Sequence, residues 1–184
     1  MISVVIPTLD DEAALGATLA PLVPAAISGL VTEVIVADGG STDATLALAD
    51  DAGARVAPAP AEMGRRLAAG CALAKGDWLL VLPPGVRLES GWEPSAQAHI
   101  DGAGGKAGYF RLVLEGQGTR LRGGLASLRV MLSGRPYFEQ GLLLPRRLYE
   151  TLGGFRAKEE PAELAARLGR RRLARMTARV FVPV

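Results

Sequence analysis

Val34 to Thr45 reads VIVADGGSTDAT: a mainly β-branched run that ends at Asp38 and passes straight into Gly39 and Gly40, then Ser41, Thr42 and Asp43. Such a run reads as a strand covered on both faces. The two glycines permit a tight turn and the close approach of a ligand, and the oxygens that follow either contact that ligand or cap a helix. Val4 to Glu12, VVIPTLDDE, repeats the arrangement, an apolar strand running into Thr8, Asp10, Asp11 and Glu12. Two polar turns on two strand ends make a nucleotide site the first hypothesis.

Outward from these turns, strands and helices alternate. Ile2 to Ile6 is a strand, and Leu15, Leu19, Leu22 and Val23 recur at helical spacing until Pro21 and Pro24 bend or end the helix. Thr32 to Ala37 is the second strand, with Ser41 or Thr42 expected to cap a helix carrying Leu46, Leu48 and Ala49. Ala54 to Ala57, Met63 to Ala74 and Asp77 to Leu82 follow as strand, helix and strand. That order predicts an α/β fold, an open twisted sheet, mostly parallel, with helices on both faces and ligands bound beyond the carboxyl ends of the strands. After residue 86 the pattern changes: helix near Trp92 to Ile100, strand Gly108 to Leu114, helix Leu121 to Leu132, strand Gly141 to Leu144, and helix Arg146 to Leu152 stopped by Gly153 and Gly154. Pro161 is placed to open a last helix and Thr177 to Val182 a last strand. With no repeat or low-complexity segment, residues 1–184 read as a single domain, 1–86 forming a nucleotide-binding half and 87–184 an acceptor-side half.

Composition narrows the class. The 184 residues are 49% apolar, enough for a core of one domain. Eighteen arginines against three lysines reflect base composition and lower the weight of any one arginine. The net charge of +2 divides into +5 over residues 156–184 and −3 over residues 1–155. Arg167, Arg170, Arg171, Arg172, Arg175 and Arg179 form a basic C-terminal run that could touch a membrane surface peripherally or face solvent as a helix flank. Nucleic acid is excluded as a partner, since the cations sit at one end and aromatics are only 5%. The single cysteine, Cys71, reads as a buried structural thiol, and no basic leader or bilayer-length apolar run is seen, so the expected location is the cytoplasm. His99, the only histidine, cannot build a metal cluster and is expected at the surface, at a helix end.

The residues 1–45 resemble the opening of family-2 glycosyltransferases: an apolar strand, Pro7-Thr8, an acidic pair, and after a second strand Asp38-Gly39-Gly40-Ser41-Thr42-Asp43. The resemblance continues through Gly64, Arg65 and Leu67 to Gly70, then Gly76 to Leu80, Glu139 to Leu143 and Gly153 to Phe155. It implies a single-domain, Rossmann-like GT-A fold that binds a nucleotide sugar, most simply a UDP-sugar. By that resemblance Pro7, Thr8, Asp10, Glu12, Asp38, Gly39 and Arg65 bind the nucleotide, with Asp38 at the base and Arg65 on the phosphate side. Asp10 stands where the family has asparagine, which keeps an acceptor and removes the amide donor. Arg65 and Arg66 also fit an exposed helix edge.

Two positions depart from the family pattern. Relatives carry His-Ala-Asp-Thr after the fourth strand, the aspartate helping to hold a divalent metal; here Pro83, Pro84, Gly85 and Val86 align, so the metal-ligand position is Gly85 and no metal cofactor is expected. Near residue 160 the family's general-base aspartate is replaced by Pro161, leaving Glu160 or Glu159 to accept the proton, with Glu139 beside the acceptor. Two functions follow. One is inverting sugar transfer from a nucleotide sugar to an unidentified acceptor, with Glu160 and Glu139 as catalytic carboxylates. The other is a catalytically degenerate nucleotide-sugar binder acting as partner or regulator. A nucleotidyltransferase is set aside because Thr8 to Glu12 contains no glycine.

Overall fold

The computed structural model describes residues 1–102, 104–115 and 136–183, and the helix expected at Leu121 to Leu132 lies outside them. Strands β1 (Ile2–Thr8), β2 (Val31–Asp38), β3 (Arg55–Pro58), β4 (Trp78–Val81), β5 (Arg87–Leu88), β6 (Ala107–Glu115), β7 (Leu142–Pro145) and β8 (Leu173–Pro183) form one sheet, in the order β3-β2-β1-β4-β7-β6-β8-β5. β3, β2, β1 and β4 are parallel neighbours. β7 runs antiparallel to β4 and β6, β8 is parallel to β6, and β5 is antiparallel to β8. Both halves of the chain thus share one open, mostly parallel sheet.

The helices are α1 (Glu12–Leu19), α2 (Val23–Ile27), α3 (Thr45–Asp51), α4 (Met63–Leu73), α5 (Glu93–Gly102), α6 (Arg146–Thr151) and α7 (Pro161–Leu168). They cover both faces, because side chains alternate along each buried strand. Ile2, Val4 and Ile6 of β1 pack with Leu15 and Leu19 of α1, Ala49 of α3 and Ala96 of α5. Val5 points the other way, among Leu67 and Cys71 of α4, Tyr149 of α6 and Leu164 and Leu168 of α7. Each such aliphatic side chain, fully buried, contributes about 1.5–3 kcal/mol.

Several local expectations change. Neither Ser41 nor Thr42 caps α3: the helix starts only at Thr45, whose N–H donates to Asp43 Oδ1 at 2.9 Å. β5 was not anticipated, since two residues carry no pattern. β8 begins at Leu173 rather than Thr177. Met176, Ala178 and Val180 point inward and Arg175, Thr177 and Arg179 outward, an alternation obscured by the arginines. His99 is half-buried instead of sitting at the surface: its ring lies edge-on to Trp78 at 5.8 Å and its Nε2 donates to the Lys106 carbonyl at 3.0 Å. Burial holds its pKa below the usual value. Cys71 is buried, and desolvation pushes its thiol up to about 12, which suits a packing role. Among the described residues no helix is long and apolar enough to cross a membrane.

Candidate functional site

The parallel register places Thr8, at the end of β1, beside Asp38, at the end of β2. Both are buried, and Thr8 Oγ1 donates to Asp38 Oδ1 at 3.0 Å. Asp38 Oδ1 also accepts from Ser41 Oγ, while Oδ2 accepts the N–H groups of Gly40 at 2.8 Å and Ser41 at 2.9 Å. Burial acts to raise the Asp38 pKa, but the bonds from Ser41, Gly40 and Thr8 outweigh it and hold the carboxyl below its ordinary value. Asp38 is therefore ionised and shapes the Gly39–Ser41 turn.

The two polar turns are sewn together across more than thirty residues of sequence. Asp10 adopts φ 55°, a left-handed conformation that Asp and Asn tolerate better than most residues. Its Oδ1 accepts the Thr42 N–H at 2.7 Å, the Thr42 hydroxyl at 3.2 Å and the Asp43 N–H at 3.3 Å, and its own N–H donates to Ser41 Oγ at 2.9 Å. Glu12 N–H donates to Asp43 Oδ2 at 3.0 Å, and Glu12 Oε2 accepts the Ala44 N–H at 3.2 Å. Asp11 N–H donates to Thr45 Oγ1 at 2.9 Å. Asp10 and Glu12 of the first turn thus act as acceptors for the second, a role that spacing along the chain does not reveal. Pro7 is buried opposite Ala37, forming the floor beneath the turns.

Arg65 and Arg66 separate sharply. Arg65 is exposed on α4, 3.9 Å from Glu62. Arg66 is only 8% exposed, which corrects its reading as an exposed helix edge. Its Nε is buried with no hydrogen-bond partner, and its Cδ lies 3.0 Å from where a Cβ on Gly39 would stand. The absence of a side chain at Gly39 is what lets the Arg66 stem lie against the turn.

At the fourth strand end, Gly85 has φ 85° and its N–H donates to the Ala14 carbonyl at 3.2 Å. Thr18 Oγ1 donates to the carbonyls of Val86 at 2.9 Å and Pro83 at 3.4 Å. The Pro83–Val86 stretch offers a divalent ion only backbone oxygens, two of them already engaged, and among the described residues no three His, Cys, Asp or Glu side chains cluster as metal ligands. This donor set does not fit a magnesium or manganese ion.

In the second half of the chain, Glu160 is exposed at the start of α7, its N–H donating to Glu163 Oε2 at 3.0 Å. Glu159 is buried, its Oε2 accepting from Arg167 at 2.7 Å and from the Arg156 N–H at 2.8 Å. Glu159 is thus held in an ion pair inside the fold, whereas Glu160 stands at the solvent-facing start of α7 in a capping box with Glu163. Glu139 is exposed on a short turn, Phe138–Gln140. Its neighbour Gln140 is buried and structural, donating to the Phe110 carbonyl and accepting from the Tyr137 N–H, each at 3.0 Å. A pocket of about 360 Å³ opens between Arg156, Lys158, Glu159, Glu163 and Arg167. The loop beneath it touches α4 directly at Gly64, where a Cβ would fall 1.8 Å from the Arg156 carbonyl oxygen. The basic C-terminal run is partly consumed in packing: Arg167 also donates to the carbonyls of Leu152 and Gly154, and Arg179 pairs with Glu89. Arg170, Arg171, Arg172 and Arg175 remain exposed.

Comparison with known proteins places this geometry. Residues 3–82 match the model of glycosyl transferase family 2. A 55-residue stretch is 51% identical to the glucosyl-3-phosphoglycerate synthase of Mycolicibacterium paratuberculosis, covering 30% of this chain and 16% of that protein's length. The whole chain superposes on 70% of the glucosyl-3-phosphoglycerate synthase from Mycobacterium tuberculosis, solved with Mn2+, uridine-diphosphate-glucose and phosphoglyceric acid, at TM-score 0.68 and 25% identity. It also superposes on 66% of a solved mycobacterial protein, at TM-score 0.68 and 28% identity.

Proposed function

From a chain whose residues 3–82 belong to glycosyl transferase family 2 and whose sheet takes the GT-A fold, we propose that it binds a UDP-type nucleotide sugar at the ends of β1 and β2 and transfers the sugar to an acceptor hydroxyl. The observation that carries this reading is the cross-bonded pair of turns, residues 8–12 and 38–45, on adjacent parallel strands. In open α/β sheets this is where ligands lie. Pro7, Thr8, Asp10, Glu12, Asp38 and Gly39 frame the nucleoside side, with the exposed Arg65 of α4 on the phosphate side. The solved relative with uridine-diphosphate-glucose supports a uridine nucleotide as the first donor to test.

Transfer proceeds by a single displacement. The acceptor oxygen attacks the anomeric carbon, the bond from that carbon to the diphosphate oxygen breaks, the configuration inverts, and UDP leaves. We assign the acceptor proton to Glu160, exposed at the start of α7, with Glu139 on the acceptor side. The departing charge is met by side-chain cations, since the Pro83–Val86 stretch supplies no carboxylate for a metal.

A second reading has its own support: a nucleotide-sugar binder without turnover. Pro161 at the general-base position and the ion pair locking Glu159 to Arg167 both favour it. Calorimetry with UDP and a panel of UDP-sugars, with EDTA or manganese, followed by an assay of sugar hydrolysis and transfer, separates the two. Binding with turnover supports the transferase, binding without turnover the binder, and absence of UDP binding removes both.

A further inference from the structure

We infer that the end of the sheet opposite the nucleotide turns is a docking surface for an anionic phospholipid bilayer. Strand register carries the inference. Trp78 at the start of β4 pairs with Pro145 at the end of β7, and the Arg146 N–H donates to the Asp77 carbonyl at 2.8 Å. β6 pairs antiparallel with β7 at Gly108 and Leu143, and runs parallel to β8 from Ala107 and Leu173, which sets Lys106 beside Arg172. Lys75, Arg147, Lys106, Arg170, Arg171 and Arg172 therefore stand just outside one end of four consecutive strands, β4, β7, β6 and β8, and all six are exposed. Neighbouring strands lie about 4.8 Å apart, so the row spans about 15 Å. Because β1 and β2 run parallel to β4, Thr8 and Asp38 lie at the other end of the sheet.

Any one of these cations alone reads as a solvated flank; their gathering from four separate segments makes a face. Asp77 and Asp101 are the exposed carboxylates adjoining it, two against six cations. Glu33, at the neighbouring end of β2, is taken by Arg55, the Ser3 hydroxyl and the Lys75 N–H. A layer of anionic headgroups attracts such a cluster through charge alone. Leu73, exposed at the end of α4 two residues before Lys75, adds an apolar contact at the same end. Nucleic acid fits less well, since Trp78, the aromatic side chain beside the row, is buried and offers bases no stacking surface. Docking in this orientation turns the acidic residues at the ends of β1 and β2 away from the bilayer, and, on the nucleotide-sugar reading, leaves that site open to a donor arriving from water.

The test sediments the full chain with phosphatidylcholine vesicles prepared with and without phosphatidylserine, at low and high salt. The wild type stands beside the double variant Lys106→Glu, Arg172→Glu and the double variant Arg156→Glu, Lys158→Glu. The second changes the net charge equally, but on the loop that packs against Gly64 at the nucleotide end. The wild type should bind only the vesicles containing phosphatidylserine and should release them as salt rises. Reversal at Lys106 and Arg172 should weaken binding by about 25-fold or more, at about fivefold per cation near an anionic surface, and reversal at Arg156 and Lys158 by less than about threefold. A further pair, Arg147→Glu with Arg171→Glu, should repeat the loss and decides the matter if thermal melts show the first variant unfolded. No sedimentation of the wild type with anionic vesicles overturns the inference. Equal losses at the two ends overturn it too, because net charge rather than this face would then be responsible. Duplex DNA bound as tightly as the vesicles, with the same loss on reversal, overturns it in favour of nucleic acid. UDP calorimetry on the same samples keeps the two readings apart: UDP binding without vesicle binding removes the docking surface alone, and vesicle binding without UDP binding removes the nucleotide reading alone.

Discussion

Replacing Gly64 with alanine tests whether α4 and the loop ahead of α7 form one packed unit, joining the first half of the chain to the second. A Cβ at Gly64 would stand 1.8 Å from the Arg156 carbonyl oxygen, 2.8 Å from the Glu159 nitrogen and 2.9 Å from the Ala157 carbonyl oxygen. All three are backbone atoms, so no rotamer change relieves the overlap. The loop must retreat by about 1.5 Å to reach van der Waals separation. That retreat strains the bonds that shape it, Glu159 N–H to Arg156 O at 2.9 Å and Arg156 N–H to Glu159 Oε2 at 2.8 Å. Overpacking costs about 1–3 kcal/mol, a lost hydrogen bond adds about 1 kcal/mol, and the better helix propensity of alanine offsets about 1 kcal/mol. The net loss of about 1–3 kcal/mol lowers Tm by about 2–4 °C per kcal/mol in a chain of this size. Gly16→Ala in α1 is the control, because its nearest atom would be Leu48 Cδ2 at 4.0 Å. The same substitution there should raise stability by about 0.4–1 kcal/mol. Thermal melts of both variants decide it: an unchanged or higher Tm for Gly64→Ala refutes the packing.

Asp38→Asn leaves one acceptor oxygen where the carboxylate had two, and should destabilise the chain by at least about 1.5–3 kcal/mol, the range for one bond to a charged group. Because the Asp38 pKa is depressed in the fold, its stabilisation is complete above the unfolded value of about 3.9 and disappears as pH falls through the folded value. Urea melts at pH 7 and pH 3 should show Asp38→Asn with a shallower acid loss than the wild type, and parallel losses would count against the four-donor arrangement. Asp10→Asn keeps both the acceptor for Thr42 and tolerance of φ 55°, so it should change stability by less than about 1 kcal/mol, whereas Asp10→Ala, losing both, should cost more than about 1 kcal/mol in the same melts. Gly85→Asp should cost about 1–2 kcal/mol for the left-handed backbone and make UDP affinity respond to manganese; a folded variant with no manganese response would show that residue 85 is remote from the diphosphate.

The strands were legible because their burial on both faces writes nearly continuous apolar runs, as in Ile2 to Ile6, broken only by Ser3, and Val34 to Ala37, and Pro161 and Gly153 marked helix ends through backbone chemistry alone. The turns stood out in the sequence as polar loops on strand ends, but their wiring did not. That Asp10 accepts from Thr42, and that Ser41 serves Asp38 instead of capping α3, depends on strand register, which a single sequence does not encode locally. Arg66 was obscure for a related reason. Adjacent residues of a helix point about 100° apart, and only the position of α4 over β1 and β2 decides which arginine is enclosed. His99 was misread because polarity predicts exposure, while the space above Gly108 admits an imidazole whose Nε2 reaches the Lys106 carbonyl. Pro161 opens the last helix as its chemistry suggested, yet the ion pair that holds Glu159, just ahead of that helix, comes from Arg167 near its far end.

The electrostatics of the strand ends bear directly on the nucleotide site proposed there. Asp10, Asp11, Glu12, Asp38 and Asp43 crowd the ends of β1 and β2, each accepting from backbone N–H groups that disperse its charge without cancelling it. A diphosphate brought to the same place adds further negative charge, and two like unit charges about 4 Å apart at a protein surface repel by about 4 kcal/mol. The solved relative with uridine-diphosphate-glucose contains Mn2+. In this chain the Pro83 and Val86 carbonyls accept from Thr18, and Arg66 lies buried beside Gly39 with its Nε unpaired. One exposed guanidinium on the phosphate side, that of Arg65, balances only part of a diphosphate, so affinity resting on it should be modest and should decline with added salt, as exposed ion pairs do.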